Sequence, residues 1–138
     1  MDSLQLKLCD IQGRLFELSA EKYDSYSFIK EFMKSDVAKA LDSTYNRMQW
    51  AGEEYLLEEL ASKTNIVPAN HNNVLPTDVL FWIGYVYRYW HFYTGESSRK
   101  IISQASAETM SVNYKMFHTM DPSMAVDNLK EIYNQKKR

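Results

Sequence analysis

Only one cysteine, Cys9, occurs in 138 residues, so no internal disulfide can staple the fold. Glycine and proline are equally scarce at four and three, and no period of roughly 20 to 50 residues recurs, which excludes a repeat array. Charge of either sign is nearly balanced, with 16 Lys plus Arg against 18 Asp plus Glu, and the formal charge of −2 generates no global field for nucleic acid or an anionic membrane. No apolar run reaches the roughly 20 residues that a membrane helix needs. The opening MDSLQLKLCD has neither the basic start nor the apolar stretch of a secretion signal, so a cytoplasmic protein is expected. A glycine-rich phosphate loop is missing as well.

What is present is apolar and aromatic. The chain is 45% hydrophobic and 25% charged, ordinary for one soluble domain spanning 1–138. Its most informative stretch is FWIGYVYRYWHFY, Phe81 to Tyr93, which holds eight aromatic residues and only Arg88 and His91 as ionisable groups. Rings of roughly 150 to 250 Å² each require neighbours on most sides, so this segment is expected to be the spine of the fold.

Helical periodicity covers most of the remainder. Leu4, Leu8, Ile11, Leu15 and Leu18 align on one stripe, with Gly13 as a weak point. Ser25 is positioned to cap a second helix carrying Phe28, Ile29, Phe32 and Met33, and Ser35 or Asp36 a short third with Val37 and Leu41. From about Thr44 to Lys63 the spacing predicts a single amphipathic helix, with Tyr45, Met48, Gly52, Tyr55, Leu56 and Leu60 on one face and Glu54 and Glu58 on another. The run TNIVPANHNNVLP reads as a long loop of the kind that is often functional or mobile.

Thr77 is the expected cap of the aromatic helix, and Gly95 its left-handed terminator. Ser97 or Ser98 opens another helix, Ser106 a further one, and Asp121 followed by Pro122 a last, ending in a solvated tail of Lys136, Lys137 and Arg138. Neither sustained alternation nor a hairpin turn appears. The expectation is therefore an all-α, single-domain helical bundle of six to eight helices around a central aromatic-rich helix.

On a helical wheel Gly84, Arg88, His91 and Gly95 share an arc of about 60°, one small and basic strip on an aromatic rod. A buried arginine requires a carboxylate or phosphate for its planar fork of donors. A structural ion pair with Glu53 or Glu54, beside Gly52, is the first expectation; a protein interface and an anionic ligand follow it. His91 reads first as a hydrogen-bonded core histidine, and His118 and Thr119 as turn stabilisers. The three histidines, His71, His91 and His118, show no metal-ligand spacing, so neither a metal nor another cofactor is expected. Cys9 lies along the leucine stripe and reads as a small apolar residue.

The strings WAGEEYLLEEL, LFWIGYVYRYWHFYTGESS and FHTMDPSMAVDNL resemble a family of small, largely uncharacterised bacterial proteins associated with toxin–antitoxin-like gene pairs. The matching positions are Tyr87, Arg88, Tyr89, Trp90, Thr94, Gly95, Glu96 and Ser97, with His118, Asp121 and Pro122. The resemblance implies an antitoxin-type partner, a non-enzymatic module that neutralises a toxin by binding it. No helix-turn-helix and no long disordered tail is evident, so a folded body would present the binding patch. The residues expected to build it are Tyr87, Arg88, Tyr89, Trp90, His91, Gly95, Glu96 and Ser97.

Three alternatives stay open. The first is a small enzyme or ligand-binding protein that uses Arg88 and His91 in an interhelical pocket for an anionic ligand. The second, ranked lower, is stacking of single-stranded nucleic acid on Tyr87, Tyr89, Trp90 and Tyr93. A homodimer would bury the same aromatic surface as a partner protein.

Overall fold

A computed structural model describes residues 1–137; Arg138, the last residue of the expected tail, lies outside the described residues. Among the described residues the chain forms eight α-helices and one short 3₁₀ turn, in an all-α fold. The helices are α1 (Ser3–Ser19), α2 (Ser25–Met33), α3 (Asp36–Asp42), α4 (Glu53–Lys63), α5 (Thr77–Thr94), α6 (Ser98–Gln104), α7 (Ala107–Phe117) and α8 (Pro122–Lys137).

The aromatic segment is α5, the longest helix, and it lies most extensively against α1, with α6, α7 and α8 on its other sides. Leu80, Ile83, Val86, Tyr87 and Trp90 are fully or almost fully enclosed. Phe16 of α1 fills the centre of the core, edge-on to Phe28 at 5.2 Å, Phe32 at 5.4 Å and Tyr87 at 6.3 Å. Edge-to-face contacts suit the quadrupoles of aromatic rings and add about 0.5–1.5 kcal/mol per pair beyond burial. Tyr87 carries its hydroxyl into this interior and donates it to the Ala105 carbonyl at 2.6 Å, which satisfies the group that burial would otherwise penalise.

Two glycines set how closely α1 and α5 approach. A Cβ on Gly84 would lie 2.6 Å from the Gln12 carbonyl oxygen and 2.8 Å from Phe16, so the backbones meet where no side chain fits. On α1, a Cβ on Gly13 would lie 2.7 Å from the Phe81 ring. The small side of the α5 strip thus admits a neighbouring helix.

Capping follows the expected residues at most ends. Ser35, Ser97 and Ser106 accept from Ala38, Lys100 and Thr109 N–H groups, Asp121 accepts from Ser123 N–H, and Gly95 takes φ 80° at the end of α5. Other boundaries move. Asp24, not Ser25, caps α2 through Ser27 N–H, because the Ser25 hydroxyl is committed to Leu75 N–H across the fold. Thr77 is the first residue of α5 and gives no cap bond; Pro76, at φ −56° and ψ 146°, supplies the extended residue before the helix.

The expected helix from Thr44 to Lys63 is likewise corrected. Asn46 starts a separate 3₁₀ turn, Arg47–Trp50, by accepting from Met48 N–H, and the backbone is extended at Ala51 and Gly52 before α4 begins. The long loop between α4 and α5 is tied down rather than loose. An antiparallel bridge joins Tyr23 to Pro68, Asp24 N–H donates to the Val67 carbonyl, Ala69 N–H to the Lys22 carbonyl, and Ser25 N–H to the Asn73 carbonyl.

Candidate functional site

Arg88 projects from α5 into the junction of α1, α3 and α6, where it is 1% exposed. Its Nε donates to Gln12 Oε1 at 2.7 Å, Nη1 to Asp42 Oδ1 at 2.6 Å and Nη2 to the Ser98 hydroxyl at 3.2 Å. Asp42 is itself fixed by Ser98, whose backbone N–H donates to Oδ2 at 2.9 Å and whose hydroxyl donates to Oδ1 at 2.8 Å. Gln12 passes the chain on by donating to the Gly84 carbonyl at 2.9 Å. Burial lowers the Arg88 pKa, and the neighbouring Asp42 charge pulls it back up. Arginine keeps its proton in such surroundings, so the pair is ionic. The partner is therefore Asp42; the expected pairing with Glu53 or Glu54 is not formed. The reason is the break at Gly52, which carries α4 and its glutamates to the far half of α1, beside Arg14.

His91, one turn on, is 14% exposed and donates from Nδ1 to the Glu96 carbonyl at 2.7 Å, since a carbonyl can only accept. Asp42 Oδ1 lies 3.7 Å from the same nitrogen. Among the described residues Nε2 has no partner. His91, Gly95 and Asp42 line a cleft of ≈ 400 Å³ with Leu4, Phe92 and Tyr45.

Glu96 anchors the turn after α5. Its Oε1 accepts from Trp90 Nε1 at 2.8 Å and Lys130 Nζ at 2.7 Å, and its Oε2 from Gln104 at 3.0 Å. Burial by itself would raise the Glu96 pKa, but the hydrogen bonds from Lys130, Trp90 and Gln104 outweigh it and hold the carboxyl at about 2. Ser97 is spent on capping α6.

The residues expected to form one binding strip thus divide. Tyr87, Arg88 and Trp90 belong to the interior and offer no surface; Glu96, Gly95 and Ser97 build the turn that closes α5 onto α6 and α8; Tyr89 and His91 reach the surface in part. Cys9 is fully buried, and burial pushes its thiol up to about 12, which suits an inert apolar residue. Among the described residues no three metal-ligating side chains come together.

On α5 the exposed aromatic is Tyr93, and further ones lie between α3 and α4 and on the first turn of α4. Tyr45 is 91% exposed, Trp50 74% and Tyr55 52%. An acidic groove of ≈ 360 Å³ between α1 and the start of α4 is lined by Glu17, Glu21, Glu53 and Glu54, and its one cation, Arg14, is engaged with Asp10 at 2.9 Å. Tyr45 and Tyr55 did not stand out in the sequence because they fit a helical core face; the glycine at 52 was the signal that this face was interrupted. Among the described residues no helix is long and apolar enough to cross a membrane. Comparison with protein-family models, curated proteins and solved structures finds no match to this chain.

Proposed function

We propose that the chain is a non-enzymatic protein-interaction module that docks its partner on Trp50 and Tyr55 and on the glutamates that lie between them in sequence, Glu53 and Glu54. The observation that carries this reading is the three aromatic side chains left in solvent within eleven positions, on a fold that encloses most of its other large apolar groups. Enclosing a large side chain is worth about 1.5–3 kcal/mol, so a cluster that forgoes this gain has the composition of an interface hot spot. The glutamates select a basic partner surface, and a Lys or Arg side chain over Trp50 would add a cation–π contact.

In the form that the resemblance implies, the module is a cytoplasmic antitoxin and the partner is the toxin encoded beside it. Co-expression with the product of the adjacent gene, followed by size-exclusion chromatography, tests this directly. One complex is expected with the native chain, and two separate species with Trp50→Ala. Separate elution of the native pair, or a complex indifferent to Trp50→Ala and Tyr55→Ala, contradicts the reading.

A second reading retains one observation. The ≈ 400 Å³ cleft at His91 is of a size that holds small molecules, and an unpartnered ring nitrogen adjoins it. Its anion-binding form has lost its main residue, because Arg88 donates inward through all three of its nitrogens. Titration of inorganic phosphate followed at the His91 ring resonances separates the two: an unmoved spectrum removes the anion site.

A further inference from the structure

We propose that the cleft between α2, α6 and α7 binds a small organic anion, its acidic head held by Arg99 and Lys34 and its apolar body lying over Tyr26, Ile102 and Ala107. This is the largest of the clefts described, at ≈ 560 Å³, and it shares no lining residue with the docking face above. Its floor at Tyr26, Ile102 and Ala107 is half-buried to buried and apolar, and Ser27, Ser103 and Ser106, whose hydroxyls are engaged within the protein, complete the lining.

Charge is distributed unevenly along the cleft. Lys34 lies at the C-terminal end of α2 and Asp24 at its N-terminal end, about 15 Å away at 1.5 Å per residue. Arg99 adjoins the Lys34 end: its Nη2 donates to the Lys34 carbonyl at 2.7 Å, which fixes the guanidinium there. Among the described residues its other N–H groups have no partner, and neither Arg99, Lys34 nor Lys30 has a carboxylate within ion-pair distance.

Two smaller clefts, of ≈ 240 and ≈ 200 Å³, meet the large one at Arg99 and bring Lys39 to the same corner, together with Lys63, whose charge is paired with Glu59 at 2.7 Å. The carboxylates facing the large cleft are Asp24, Glu31 and Glu108. Asp24 is occupied with Ser27 N–H at the far end of α2, Glu108 sits on the first turn of α7, and Glu31 lies on α2 between Asp24 and Lys34. Asp36 and Asp42 line the smaller clefts, and Asp42 is neutralised by Arg88. An anion placed at Arg99 therefore meets a preset fork and an unpaired ammonium, the arrangement that charge-assisted hydrogen bonding to carboxylate, sulfonate or phosphate requires.

The test uses two probes with one ring body and opposite heads, 1-naphthalenesulfonate and 1-naphthylmethylammonium, titrated into the full chain by calorimetry and two-dimensional NMR. Saturable one-to-one binding of the sulfonate is expected, with shifts centred on Tyr26, Arg99 and Ile102. Loss of one charge-assisted contact corresponds to about tenfold weaker binding, expected for Arg99→Gln and for the solvent-exposed Lys34→Ala, which leaves the fold untouched. Equal binding of the ammonium probe, shifts centred elsewhere, no saturation, or a Lys34→Ala affinity within about twofold of native would each overturn the proposal.

Discussion

Replacing Asp42 by Asn keeps the shape of the side chain and an acceptor for Ser98 N–H, but it leaves the Arg88 guanidinium charged and enclosed without a counter-charge. Breaking a buried pair from one side costs about 3–5 kcal/mol. The Asp42 side chain is 13% exposed against 1% for Arg88, so water reaches its edge and the lower end, about 3 kcal/mol, is expected. For a chain of this length that corresponds to a fall in Tm of about 10 °C. Arg88→Met alone leaves Asp42 with its edge in water and still bonded to Ser98, at about 2 kcal/mol. The double variant removes both charges and leaves Gln12 Oε1 and the Ser98 hydroxyl without the donors that Arg88 supplied, so its cost should be about 2 kcal/mol rather than the roughly 5 of independent losses. Urea unfolding followed by far-ultraviolet circular dichroism, with unchanged m-values, measures the cycle. An Asp42→Asn cost below about 1 kcal/mol, or additive single losses, would refute the argument that the pair is an interior lock.

Gly84→Ala gains about 1 kcal/mol of helix propensity, yet its methyl would meet the Gln12 carbonyl at 2.6 Å; a net loss of about 1–2 kcal/mol in the same urea assay is expected. Cys9, buried with its thiol pushed up to about 12, should resist Ellman's reagent at pH 8 in the native protein and react promptly in urea. Glu96 has a folded pKa of about 2 against an ordinary 4.5, so its contribution is complete above pH 4.5 and is lost as pH falls toward 2. In Glu96→Gln this part of the acid dependence, about 2 kcal/mol after discounting for the solvent-facing edge, should vanish from urea titrations between pH 5 and 2.

The aromatic helix was legible because apolar density and helical period coincide there, and Gly95, Ser35, Ser106 and Asp121 mark their boundaries by chemistry that local sequence carries. That Arg88 needed an anion was equally legible. Which anion was not, since Asp42 lies 46 positions away and reaches Arg88 only after α3 packs beside α6. The same holds for Gln12, 76 positions away, whose role depends on the close approach that Gly84 permits. Tyr45 and Tyr55 were assigned to one helical face that the extended backbone at Ala51 and Gly52 interrupts, so their exposure was not legible from spacing alone.

The enclosure of Arg88 decides whether α5 is structural or a site, and the exchange of its Nε–H in nitrogen-resolved NMR reports it. With Nε donating to Gln12 inside the core, one arginine Nε–H resonance, lost in Arg88→Met, should persist long after transfer to deuterated water and stay unmoved when inorganic phosphate is added. Exchange as fast as that of Arg14 and Arg47, or a phosphate-dependent shift of that resonance, would contradict the account.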